Sequence, residues 1–188
     1  MVIWLTGLSG AGKTTLGKVV CELIKPVAPV AFLDGDVARA AIADGLGYSE
    51  EDRFIQIGRM ARLAQLLAEQ GLVVVVAALY ASDELLAWNR VNLPGYVEVY
   101  VSASLEALMA RDSKGLYERA RRGEARDVVG MDIPWHVPAA PDLVLDMDQP
   151  ESPLVLARRI IGLLPIAGLV AAPALAPAVA PARVDPAR

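Results

Sequence analysis

Residues 7–14 read Gly-Leu-Ser-Gly-Ala-Gly-Lys-Thr and match the pattern G-x-x-x-x-G-K-[ST] at every required position. An apolar run precedes the motif and a helical pattern follows it, so it has the strand-turn-helix context that gives such a loop its meaning. The glycines let the backbone curl until successive N–H groups and the start of the helix converge on one anion. The expected phosphate contacts for ATP are therefore Gly10, Ala11, Gly12, Lys13, Thr14 and Thr15. Lys13 supplies a point charge to the β- and γ-phosphates, and the Thr14 hydroxyl is placed to hold Mg2+.

A loop of this kind needs a buried strand to launch it and a helix to receive it, which narrows the fold. Short apolar runs rich in β-branched residues recur at 2–6, 30–33, 72–77, 97–101 and 143–145. Continuous rather than alternating hydrophobicity marks strands buried on both faces, as in a parallel sheet. Helical patterns at 14–24, 54–70 and 104–111 are long enough to be crossovers between them. In the longest, Ile57, Met60, Ala61, Ala64, Leu67 and Ala68 form the core face and Gly71 is the stop. The expectation is an α/β protein with the three-layer P-loop NTPase fold, a parallel sheet flanked by helices with a mobile lid. Its ligands belong at the carboxyl ends of the strands.

With 188 residues the chain has room for one such domain, residues 1–165. Residues 166–188 turn to Ala, Pro, Val and Gly without a periodic face, and this tail is expected to be mostly disordered. A net charge of -4 argues against a nucleic-acid polymer as partner. The basic residues must be read locally: Arg111, Lys114, Arg119, Arg121, Arg122 and Arg126 fall in one segment, either a polyanion site or a solvated helix face. The apolar run 160–172 is broken by Pro165 and too short to span, so no membrane association is expected. The first residues lack the basic start of a secretory signal, and Cys21 has no partner for an internal disulfide. A reducing, cytoplasmic setting fits best.

Three further segments occur in order: Leu33-Asp34-Gly35-Asp36-Val37-Ala38-Arg39, Gly47-Tyr48-Ser49-Glu50-Glu51-Asp52-Arg53, and Arg111-Asp112-Ser113-Lys114-Gly115-Leu116-Tyr117. With Gly123-Glu124 and Pro141-Asp142-Leu143-Val144-Leu145-Asp146, they resemble the adenylyl-sulfate kinase family, over about residues 1–150. Members of that family phosphorylate the 3′-hydroxyl of adenosine 5′-phosphosulfate. The resemblance implies a homodimeric cytoplasmic enzyme of sulfate assimilation. It implies Arg39 and Arg53 on the acceptor nucleotide, Tyr48 stacked on the acceptor base, Lys114 near the acceptor and Arg111 near the ATP base. The residues themselves agree with a kinase. Asp34 and Asp36 end the second strand, where a carboxylate can organise Mg2+ with Thr14 or accept the hydroxyl proton, and with Lys13 they are the candidate catalytic groups. Arginines at 39 and 53 match a phosphate or sulfate bidentately.

The departures from the family pattern cluster on the acceptor side. Gln56 stands for the family asparagine, while Arg59 is kept. Phe-Ile-Ser-Pro after the third strand reads Leu79-Tyr80-Ala81-Ser82, which removes the serine phosphorylated in some members. Val128 stands for the phenylalanine that stacks on the acceptor adenine, a loss of about 1–3 kcal/mol of stacking. Two alternatives therefore accompany the leading reading. One is 3′-phosphorylation of another modified nucleotide such as cytidine diphosphoramidate, and the other is a nucleotide-binding regulator without catalysis.

Overall fold

The five apolar runs all become strands, each within a residue of the expected bounds: β1 Val2–Thr6, β2 Val30–Asp34, β3 Val73–Ala78, β4 Val97–Ser102 and β5 Leu143–Asp146. The structure is a computed structural model that describes residues 1–112, 115–149 and 151–171. The strands form one parallel sheet in the order β2-β3-β1-β4-β5. β1 and β3 are buried along their whole lengths, which is why their sequences show no alternation. From β1 the chain runs to β2 at the sheet edge, returns to β3 between the two, and then crosses to β4 on the other side of β1. The carboxyl end of β1 is thus the point at which the winding reverses, where open α/β sheets bind ligands.

α1 (Lys13–Ile24) packs with α7 (Pro153–Ile161) against the sheet, while α3 (Glu50–Glu69) packs with α4 (Asp83–Asn92) and α2 (Gly35–Ile42). The face predicted for α3 is the one buried: Ile57, Met60, Ala61, Ala64 and Ala68 are in the core, and Leu67 is partly buried against it. Two short helices, α5 (Leu105–Arg111) and α6 (Leu116–Arg121), lie between β4 and β5.

Helix boundaries were less legible than strands, because a single capping side chain sets them. Ser49 accepts a hydrogen bond from the Asp52 amide, so α3 starts at Glu50 rather than Phe54, and Arg53 lies inside the helix instead of before it. Asp34 likewise caps α2 directly off the end of β2. At the start of the segment expected to be a tail, Ala167–Ala171 form a short helix, α8, and Ile166, Ala167 and Val170 pack against the core. The remaining tail residues lie outside the described residues. Cys21 is half-buried in α1, and burial pushes its thiol up to about 11. Among the described residues no helix is long and apolar enough to cross a membrane.

Candidate active site

The turn out of β1 is held by close packing. A Cβ at Gly7 would lie 2.3 Å from the Val101 carbonyl oxygen of β4, so no side chain fits there. At the far end of the loop Gly12 is the N-cap of α1 with φ 98°, a conformation open to glycine. Between them the Lys13 ammonium donates to the Gly7 and Leu8 carbonyls at 2.7 Å each, folding the side chain over the loop. Ala11 is buried beneath the loop and offers only its backbone. The first turn of α1 leaves its amides directed out of the helix end, where phosphates are stabilised.

Thr14 links this loop to β2. Its hydroxyl donates to Asp34 Oδ2 at 2.5 Å, and Asp34 Oδ1 accepts from the amides of Asp36 and Val37. One carboxylate therefore caps α2 and touches the loop threonine. These are hard oxygen donors, the kind Mg2+ prefers when phosphates and water complete its shell. Among the described residues no group of three or more His, Cys, Asp or Glu could hold a metal alone.

A cleft of about 840 Å³ runs from the loop across the carboxyl ends of β2 and β3. It brings together Gly10, Gly12, Lys13, Thr14 and Thr15 at one end with Arg39, Tyr48, Arg53, Gln56 and Val128 at the other, and Asp34 and Asp36 lie in the same cleft. Tyr48 is exposed and clamped by two guanidiniums, with Arg39 4.7 Å and Arg53 5.6 Å from its ring centre. Arg39 also donates to the Gly47 carbonyl at 2.6 Å. Arg53 is buried and donates to the carbonyls of Tyr48 (2.9 Å) and Asp127 (2.6 Å), tying the start of α3 to a segment 74 residues away. Burial, with Arg39 nearby, lowers its pKa from the ordinary guanidinium value.

Gln56 is 2% exposed, lines the cleft, and has no hydrogen-bond partner for either amide atom among the described residues. Leaving such an amide unpaired costs about 1–3 kcal/mol, so it fits a site that a polar ligand completes. Val128 is buried, and its amide donates to Asp132 Oδ1 at 2.5 Å.

The basic segment divides. Arg121 pairs with Glu118 at 2.8 Å and Arg122 with Glu124 at 3.1 Å, both on the surface. Arg119 and Arg126 line the cleft instead. Arg111 flanks the loop beside Ser9 and Gly10, outside the main cleft, and donates to the Met147 carbonyl at 2.8 Å. Lys114 lies outside the described residues.

Sequence reasoning passed over Tyr80 as a site residue, yet it lines the cleft and its hydroxyl donates to Glu50 Oε1 at 2.9 Å. Burial and that carboxylate raise the phenol to about 12. The rule that ligands gather at the carboxyl ends of central strands, applied to β3, would have found it.

A phosphate loop at the switch point, a carboxylate pair off β2 and a second arginine-lined end in one cleft define a P-loop kinase. The family model described as adenylylsulphate kinase matches residues 1–146. The chain belongs to the adenylylsulphate kinase family. It is 44% identical over 149 residues to the adenylyl-sulfate kinase of Chloroflexus aurantiacus, covering 79% of this chain and 80% of that one. It is 39% identical over 166 residues to that of Pseudomonas aeruginosa, covering 87% and 84%. The solved APS kinase of Mycobacterium tuberculosis in complex with AMPPNP and APS matches with a TM-score of 0.79 at 34% identity, over 86% of this chain and 95% of that one.

Proposed function

We propose that the chain transfers the γ-phosphoryl group of ATP to the 3′-hydroxyl of adenosine 5′-phosphosulfate, giving 3′-phosphoadenosine 5′-phosphosulfate. The observation that carries this reading is the single cleft in which the phosphate loop and the Arg39, Tyr48, Arg53 and Gln56 end face one reaction space across Asp34 and Asp36. The relative solved with both AMPPNP and APS supports it.

The loop amides and Lys13 hold the β- and γ-phosphates. Thr14 Oγ1 and Asp34 Oδ2 are the oxygens that would hold Mg2+, which when bound neutralises charge on the transferred group. We assign Asp36, which lines the cleft between the phosphate loop and the arginine-lined end, to orient the acceptor hydroxyl and take its proton. Arg39 and Arg53 present forks to the acceptor's phosphosulfate, Tyr48 offers a base-stacking face, and Gln56 meets a polar group of the acceptor. Arg119 and Arg126 line the same cleft from the segment that would close as the lid, where cationic groups offset charge building in flight. The family resemblance supports a cytoplasmic homodimer. Sedimentation would then give twice the 20.0 kDa chain mass.

The test is turnover of ATP, with mass identification of the product, against adenosine 5′-phosphosulfate and cytidine diphosphoramidate side by side. Phosphorylation of the first supports the reading, and turnover of the second alone overturns the acceptor assignment. ATP binding without turnover of either would leave a regulator.

A further inference from the structure

We infer that Tyr80, acting through Glu50, is a positioning residue that fixes the start of α3 and so sets acceptor affinity; the inference rests on the function proposed above. Tyr80 stands two residues beyond the end of β3 and is 4% exposed. Its hydroxyl donates to Glu50 Oε1 at 2.9 Å, and Glu50 is the first residue of α3. The next turns of the same helix carry Arg53 and Gln56 into the cleft.

A helix start is its least constrained part, since the first four amides have no partner within the helix. Here, among the described residues, only the Ser49 cap satisfies one of them from a side chain. The first turn is instead fastened by contacts to other segments. Tyr80 reaches it from the end of β3, Arg53 crosses to the Asp127 carbonyl, and His136 Nε2 stands 3.8 Å from the same Glu50 oxygen. A phenol donating to a carboxylate is a charge-assisted bond, stronger than a neutral pair. With its phenol raised to about 12, Tyr80 stays a donor throughout the neutral range. A shift of 1 Å in this turn would move the Arg53 guanidinium and the Gln56 amide together, and the phosphate loop on α1 would be untouched.

The consequence is selective. Tyr80→Phe removes only the hydroxyl and keeps the ring. It should raise the KM for adenosine 5′-phosphosulfate roughly tenfold and leave the KM for ATP within about twofold. Glu50→Ala should do the same. Glu50→Gln should keep much of the wild-type affinity, because its amide oxygen still accepts. The double variant Y80F/E50A should be no worse than Glu50→Ala alone, since that change already removes the bond to Tyr80 along with the His136 contact. An unchanged acceptor KM in Tyr80→Phe overturns the proposal, and so do equal rises for both substrates or additive effects in the double variant. Wild-type protein that fails to use this acceptor sinks the functional reading first and the inference with it. A failure confined to the variants touches the inference alone.

Discussion

The two ends of the cleft are built in different ways. The donor end is one continuous stretch, residues 7–15, whose shape comes from its own glycines and one close approach to β4. The acceptor end is assembled from α2, the turn before α3, α3 itself, the end of β3 and the segment around Asp127 and Val128, joined by side chains that bond to distant carbonyls. The first is local and chemically generic. The second is long-range, and it is where a family member can change its acceptor without disturbing its use of ATP.

The largest expected effect tests the donor end. Lys13→Ala removes a charge on the transferred group and should lower kcat by about 10²–10³-fold. The change also takes the donor from the Gly7 and Leu8 carbonyls, so a fall of a few degrees in melting temperature should accompany the loss of activity. If activity survives within tenfold, the loop backbone alone holds the donor.

A smaller effect, of opposite selectivity, tests the acceptor end. Arg53→Ala leaves two carbonyls, of Tyr48 and Asp127, without their donor and frees Tyr48 from one of its two guanidiniums. Acceptor kcat/KM should fall roughly 10²-fold, with the KM for ATP within about threefold. Arg53→Lys should not restore it, because one ammonium cannot reproduce a fork that bridges two segments. Equal losses for both substrates would mean that the two ends are not separable.

This difference also explains what the sequence could reveal. All five strands were legible as short runs rich in apolar and β-branched residues, most plainly β1 and β3, where burial along the whole length leaves the run uninterrupted. The loop was legible because its function needs fixed residues at fixed spacing. Tyr48, Arg39 and Arg53 were nominated by resemblance, but nothing in their spacing foretold that the two arginines would clamp the tyrosine. The Tyr80 to Glu50 bond joins positions 30 apart, and the Arg53 to Asp127 bond joins positions 74 apart. No periodicity encodes such pairs, since they exist only after the sheet order is set. The split among the arginines of residues 111–126 was hidden for the same reason: which of them meet the cleft depends on how α6 sits against it.

The smallest effect asks whether the acceptor end depends on backbone shape or on side chains. Among the described residues Asp127 is the one non-glycine in the left-handed region, with φ 59°. Its amide donates to Asp132 Oδ2 at 2.7 Å, and its carbonyl accepts from Arg53. Glycine there relieves the left-handed strain but adds freedom to the unfolded chain, so Asp127→Gly should change stability by less than about 1 kcal/mol in denaturant unfolding. Acceptor KM should stay within about twofold, because both backbone partners remain. Valine at the same position keeps the backbone groups but resists the conformation at a cost of about 1–2 kcal/mol, and should raise acceptor KM by displacing the carbonyl that Arg53 holds. If glycine proves as harmful as valine, the Asp127 carboxylate itself belongs to the site, and the acceptor end is set by side chains more than by the turn that carries them.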